Sequence, residues 1–216
     1  MHIHAQIVAE PNQLLTMNFT DPITLKGQYA SLVPLSMSHH DALCDATRDG
    51  ELWKLWYTSI PSPEGMTEEI ERRLRLQRAG SMNPFCVLDA VGTPIGMTTY
   101  MNIDQDNRRV EIGSTWYRKS VQRTALNTEC KLMLLRYAFD TLNCIAVEFR
   151  THFFNFQSRK GIERLGAKLD GVLRHHQISR HPDAMGSMRD TCVYSILASE
   201  FPAVKSHLSY QLEKVR

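Results

Sequence analysis

Ser120–Leu135, SVQRTALNTECKLMLL, sets a basic, polar turn (Gln122, Arg123, Thr124) against a run that is far more apolar than most helices. The pattern predicts a helix over Asn127–Leu142. On its wheel Glu129, Arg136, Asp140 and Asn143 share one narrow polar face, so the rest packs on a sheet. Upstream, Arg109–Trp116 (RVEIGSTW) reads as a strand, and the three pieces make a β-turn-α unit. The turn admits two readings. One is a solvated basic turn with Thr124, Asn127 or Thr128 as a plain cap. The other is an anion site. A first helical turn leaves four N–H groups without intrahelical partners, and the macrodipole adds about half a positive charge there. Arg118, Lys119 and Arg123 would add full charges.

The flanking elements follow from periodicity and punctuation. Tyr29–Leu35 alternates as a strand, Ser38 is placed to cap a helix through His40–Arg48, and Leu52–Tyr57 continues the apolar content. SIPSPEG is a loop; Thr67, Glu69 and Glu71 open a charged helix closed by Gly80. Phe85–Val91 and Ile95–Met101 form a hairpin around GTP. Ile145–Thr151 alternates, with Ile145, Val147, Phe149 and Thr151 opposite Ala146, Glu148 and Arg150. Asn155 caps a helix ending at Gly166, strands near Ala167–Ile178 and Asp190–Leu197 follow, and the tail is a short helix. The order β-α-α-β-β-β-α-β-α-β-β predicts a mixed α/β sheet. Residues 1–22 read as an N-terminal extension, an irregular lead-in or an extra strand, and 23–216 as one domain.

Composition narrows the function classes. Lysines and arginines number 25 against 23 acidic residues, a balance that argues against general nucleic-acid binding. No run approaches the roughly 18 apolar residues needed to cross a bilayer, and the N-terminus lacks a signal-peptide pattern, so no membrane association is expected. Five scattered cysteines without a CxxC pair read as buried, reduced thiols of a cytoplasmic protein, Cys130 included. His2/His4, His175–His176 and His181 lack further ligands at metal spacing, so no metal site is expected.

QRTALN (Gln122, Arg123, Thr124, Ala125, Leu126, Asn127) resembles the (Q/R)xxGx(G/A) pyrophosphate loop of the GNAT N-acetyltransferase superfamily. The string from EIGSTW to IERLGAK is similar to the branch containing ribosomal-protein N-terminal acetyltransferases, and the likeness runs from near Leu25 to near Leu197. It implies a GNAT-like α+β domain: a central, mostly antiparallel twisted sheet of about seven strands with a splayed pair, flanked by helices. It implies acetyl-CoA as acyl donor, its pyrophosphate held by the main-chain amides of Gln122–Asn127. It also implies that Thr115, Trp116 and Tyr117 end the splayed strand that pairs with the pantetheine arm. Asn155 would contact that arm, with Ser158 near the thiol; Arg159 and Lys160 would approach phosphates or stay solvated. Three positions depart from the pattern. Ala125 and Asn127 replace glycines of the commonest loop, Lys119 replaces a common proline, and Ile162 stands where many members carry a tyrosine acid.

The implied reaction is direct acetyl transfer to a primary amine in a ternary complex. At pH 7 deprotonating an α-amino group costs about 1.4 kcal/mol and a lysine about 4.6. Glu111 is the candidate carboxylate, acting through a held water; the alternative is an exposed strand glutamate. A main-chain N–H near Thr115–Trp116 would stabilise the oxyanion. Ser158 would donate to the departing thiolate, or else bond its own helix backbone. Trp53, Trp56 and Tyr57 read as core; the alternative is that one ring walls the acceptor site. The acceptor is a protein N-terminus or a small-molecule amine, and a homodimer is expected. The rival reading is a catalytically silent acyl-CoA-binding sensor or scaffold.

Overall fold

A computed structural model describes residues 18–214. The expectations placed on residues 1–17, including His2/His4 and an extra strand, lie outside the described residues. The chain forms β1 (Leu25–Lys26), β2 (Ala30–Pro34), α1 (His40–Arg48), α2 (Met66–Arg78), β3 (Met82–Asp89), β4 (Pro94–Asp104), β5 (Arg109–Tyr117), α3 (Ala125–Arg136), β6 (Ala146–His152), α4 (Phe156–Arg164), β7 (Lys168–Ile178), β8 (Met188–Leu197) and α5 (Phe201–Glu213). The end of the extension is fastened to the sheet: Phe19 is buried, and Asn83 Nδ2 donates to the carbonyls of Phe19 and Asp21 at 3.0 and 2.9 Å.

One eight-stranded sheet runs β1-β2-β3-β4-β5-β6-β8-β7. The eighth strand is the two-residue β1. Hairpins join β1–β2, β3–β4, β4–β5 and β7–β8, and β2–β3 and β6–β8 pair antiparallel through longer connections. Only β5 and β6 pair in parallel, since α3 carries the chain back across the sheet between them. The core has two layers. Leu32, Phe85, Tyr100, Val110, Ile112, Val147 and Phe149 lie under α3, α4 and α5. On the opposite face Cys86, Met97 and Trp116 meet Leu43, Met66 and Ile70 of α1 and α2. α3 is buried nearly all round, as its apolar run requires, and a π-helical turn, Tyr137–Thr141, continues it.

Two local expectations are corrected. Glu129 does not belong to a solvated face. Its carboxylate is buried and accepts from the N–H groups of Gln28, Tyr29 and Ala30 at 2.7, 2.7 and 2.9 Å. A Cβ on Gly27 would lie 2.3 Å from that carboxylate carbon, so the turn needs glycine there. The cap before α1 is Ser36, in a capping box with His39, rather than Ser38. The box starts a single 3-10 turn that runs straight into the helix.

Candidate active site

β5 and β6 pair at Arg109/Ala146, Val110/Val147 and Glu111/Glu148, and then part. β5 continues to Tyr117 and β6 to His152 without pairing each other, so a cleft opens between them. A bulge shapes the β5 side. Register with β4 jumps between Met97/Trp116 and Thr99/Gly113, and Ser114 adopts a left-handed φ of 47°.

Buried cations hold this bulge from both faces. From α2, Arg73 donates to Thr99 Oγ1 (2.7 Å) and to the Ser114 carbonyl (3.2 Å), with Glu69 paired to its Nε at 2.6 Å. From α3, Lys131 Nζ donates to Thr115 Oγ1 at 2.9 Å, which lies 2.7 Å from Thr98 Oγ1. Burial pushes the Lys131 ammonium down to about 8. Neither cation stood out in the sequence; the one trace was a lysine inside the apolar run CKLMLL.

The side chains of Thr115, Trp116 and Tyr117 are thus committed to the sheet's two faces. Trp116 enters the α1–α2 layer and Tyr117 the α3 layer beside Cys130. Their capacity to meet a ligand in the cleft lies in the main chain. The Cys130 thiol is buried and pushed up to about 12, which rules out a thiolate nucleophile near neutral pH.

The turn after β5 is pinned from behind. Arg118 Nε and Ser120 Oγ reach Asp49 Oδ2 at 2.9 and 2.6 Å, and these bonds, that of Ser120 first, hold the Asp49 carboxyl below its usual range. Arg118 is therefore an anchor, not a free phosphate ligand. Gln122 Nε2 donates to the Tyr117 carbonyl at 2.9 Å. Arg123 turns left-handed, φ 63°. α3 then begins at Ala125, two residues earlier than the wheel suggested, because Thr124 is the cap; its Oγ1 accepts from Leu126 N–H. That hydroxyl uses one orphan donor, and the helix offers no partner to the N–H groups of Ala125 and Asn127. Arg123 and Thr124 are exposed, and Ala125 and Asn127 half-buried. Depressions of about 330 and 370 Å³ lie outside the cleft; the larger borders the turn through Ser120, Thr124 and Leu126.

The first turn of α4 sits alongside, with Gln157 Nε2 3.4 Å from Gln122 Oε1. Asn155 Oδ1 caps α4 by accepting from Ser158 N–H at 3.0 Å, which leaves its amide nitrogen available. Among the described residues the Ser158 hydroxyl has no hydrogen-bond partner. Arg159 is tied to Tyr194 and the Phe153 carbonyl, and Ile162 packs in the core.

Glu111 lies at the last β5–β6 pair and is only 4% exposed, so it is not a surface glutamate. Its Oε2 accepts from Asn102 Nδ2 at 2.6 Å and lies 3.6 Å from Arg150 Nε. Burial pushes its carboxyl up, against the opposing Asn102 bond and Arg150 charge. No helix among the described residues is long and apolar enough to cross a membrane, and no group of three potential metal ligands occurs there.

Comparison with known proteins agrees with this geometry. The model of the Acetyltransferase (GNAT) domain family matches residues 31–168. The chain is 26% identical over 183 residues to the Bacillus licheniformis protein called uncharacterized N-acetyltransferase p20, covering 82% of this chain and 98% of that one. A GCN5-related N-acetyltransferase from Brucella melitensis shares 28% identity at a TM-score of 0.77, over 89% of this chain and 86% of that one. Mycobacterium smegmatis RimJ in complex with CoA-disulfide has the same fold, with TM-score 0.73 and 19% identity, over 90% and 96% of the two chains. The chain belongs to the GNAT acetyltransferase family. It is an acetyl-CoA-dependent acyltransferase.

Proposed function

We propose that the protein transfers the acetyl group of acetyl-CoA directly to a primary amine, in a ternary complex within the β5–β6 cleft. The observation that carries this is the coincidence of three features at one place. The strands part at Glu111/Glu148, β5 bulges at Ser114, and α3 starts at the adjoining turn with the N–H groups of Ala125 and Asn127 unused by its Thr124 cap. Main-chain amides of the Gln122–Asn127 turn hold the donor's pyrophosphate, those of Ala125 and Asn127 foremost, since the N–H groups of Gln122 and Leu126 already donate to the Lys119 carbonyl and to Thr124 Oγ1; the helix dipole supports them. The main chain of Thr115–Tyr117 lines the pantetheine arm, and a freed N–H there stabilises the oxyanion; one such donor is typically worth about 2.7–4 kcal/mol. Glu111 takes the ammonium proton through a water, its raised carboxyl being the better base for it. Asn155 Nδ2 contacts the arm, and the unpartnered Ser158 hydroxyl donates to the departing thiolate.

The acceptor is a protein amino terminus or a small amine. The transferase domain spans 23–216 behind an extension of 1–22, and the protein works in the cytoplasm as a homodimer. A thiol-release assay with acetyl-CoA and a panel of peptides and amines tests this reading. Turnover of at least one amine supports it. Tight acetyl-CoA binding with no thiol release on any acceptor supports a silent binding module instead.

A further inference from the structure

The face of the sheet under α1 and α2 carries charges that do not cancel near the cleft. Two carboxylates and three guanidiniums share it. Glu148 takes both Arg109 and Arg150, the latter at 2.9 Å. Glu111 has only Asn102 and a longer approach of Arg150. Arg189 on β8 is half-buried, its Nε–H is fully buried without an acceptor, and among the described residues its guanidinium makes no hydrogen bond or ion pair. Thr191 pairs with His152 across β6–β8, and Arg189, two residues before it, shares that face with His152, Glu148 and Glu111. A buried guanidinium N–H left without an acceptor costs stability unless something fills it.

Next to this charged floor stands an aromatic wall. His152 ends β6, and its ring lies 5.0 Å from Trp56 and 5.8 Å from Phe154. Trp56 and Phe154 are 5.9 Å apart, and Phe154 meets Phe156 at 6.4 Å. These three large rings are 38%, 52% and 54% exposed. Adjacent aromatics left open to solvent mark a binding surface. His152 stands on the face of β6 that also carries Glu148, the partner of Glu111, and His181 of the β7–β8 loop reaches the Trp53 carbonyl at 3.4 Å.

We propose that Arg189 and the Trp56–Phe154 wall select the acceptor: a primary amine whose neighbouring carbon bears a carbonyl or carboxylate oxygen for Arg189 and an apolar, preferably aromatic, side chain for the wall. The ammonium faces Glu111, so Glu111 and Arg189 each gain a complement. Both a free apolar α-amino acid and a peptide with an apolar first residue present this chemistry; polyamines, aminoglycoside-like amines and lysine side chains do not. The inference rests on the transferase reading and adds the acceptor class to it.

The test is an acceptor profile at fixed acetyl-CoA, read as kcat/KM for thiol release. The panel is L-phenylalanine, phenylalanine amide, a tetrapeptide beginning with phenylalanine, its glycine counterpart, phenethylamine and spermidine. At least one phenylalanine-bearing acceptor should exceed glycine peptide, phenethylamine and spermidine by tenfold or more; which one leads separates the free amino acid from the peptide. Arg189→Met should collapse the preference for phenylalanine amide over phenethylamine toward unity, and Trp56→Ala the preference for phenylalanine over glycine peptide. Both variants should keep acetyl-CoA affinity by calorimetry. Equal or better turnover of spermidine or phenethylamine by the wild type overturns this inference alone, even if the variants fail to fold. Unchanged ratios in folded variants overturn it too. No thiol release with any acceptor overturns the transferase reading and this inference together.

Discussion

Replacing Lys131 by methionine isolates the cost of placing a charge beneath the active-site bulge. The ammonium is buried, and its one hydrogen-bond partner among the described residues is Thr115 Oγ1. Burial lowers it from 10.5 to about 8, with only the neighbouring Cys130 opposing. That gap corresponds to about 3 kcal/mol. The sign follows from linkage. The unfolded chain holds this proton more tightly, so the penalty is full below about pH 8 and fades as pH rises toward 10.5. Methionine fills similar space without charge but gives up the bond to Thr115, worth about 1 kcal/mol. At pH 7 Lys131→Met should therefore be more stable than wild type by about 2 kcal/mol, or about 4–8 °C in Tm for a chain of this size. The advantage should shrink steadily between pH 8 and 10. Urea unfolding followed by circular dichroism at pH 7, 8, 9 and 10 measures it. Turnover should fall about tenfold in the stabilised variant, because Thr115 loses the donor that fixes the bulge. A wild type more stable at pH 7, or a gap independent of pH, would refute the reasoning.

Other outcomes follow from the same geometry. Glu129→Ala strands three N–H groups of the Gln28–Ala30 turn and should cost about 3–5 kcal/mol of unfolding free energy, read by denaturant titration. Glu111→Gln should slow turnover most for amines of high pKa; an equal loss for all acceptors argues against a base. Since burial raises Glu111 and its ionised form is the base, the wild-type acid limb of kcat/KM should lie above the usual carboxylate range near 4.3 and vanish in that variant. Asn155→Ala should weaken coenzyme A binding in calorimetry and cost about 1 kcal/mol of stability through the lost cap.

The order of elements was legible because each one meets a single environment along its length. β6 alternates between the α3–α4 layer and the charged floor, and α3 is apolar because helix and sheet enclose it. The basic turn before α3 was legible as a string, and its cap needed only Thr124. Glu129, Lys131 and Arg73 were not legible. Each finds its partner through the fold: Glu129 in a turn about a hundred residues away, Arg73 on Ser114, Lys131 of α3 on Thr115 of β5. A helical wheel sends such polar residues to water, since it cannot see a main-chain donor brought in by another strand. Arg118 misled for the same reason: its charge is spent on Asp49, at the end of α1. Nor could spacing reveal that Arg189 would share a sheet face with Glu111 and keep a buried Nε–H without an acceptor.

What the account asks of the protein is that peptide N–H groups at the head of α3 grip a diphosphate. Amide resonances of Ala125 and Asn127, followed by nitrogen-15 NMR while coenzyme A and then pantetheine are added, measure this directly. The account predicts large displacements with coenzyme A and almost none with pantetheine, which lacks the diphosphate. Saturation with coenzyme A that leaves both amides unmoved, or equal displacement by pantetheine, would contradict it.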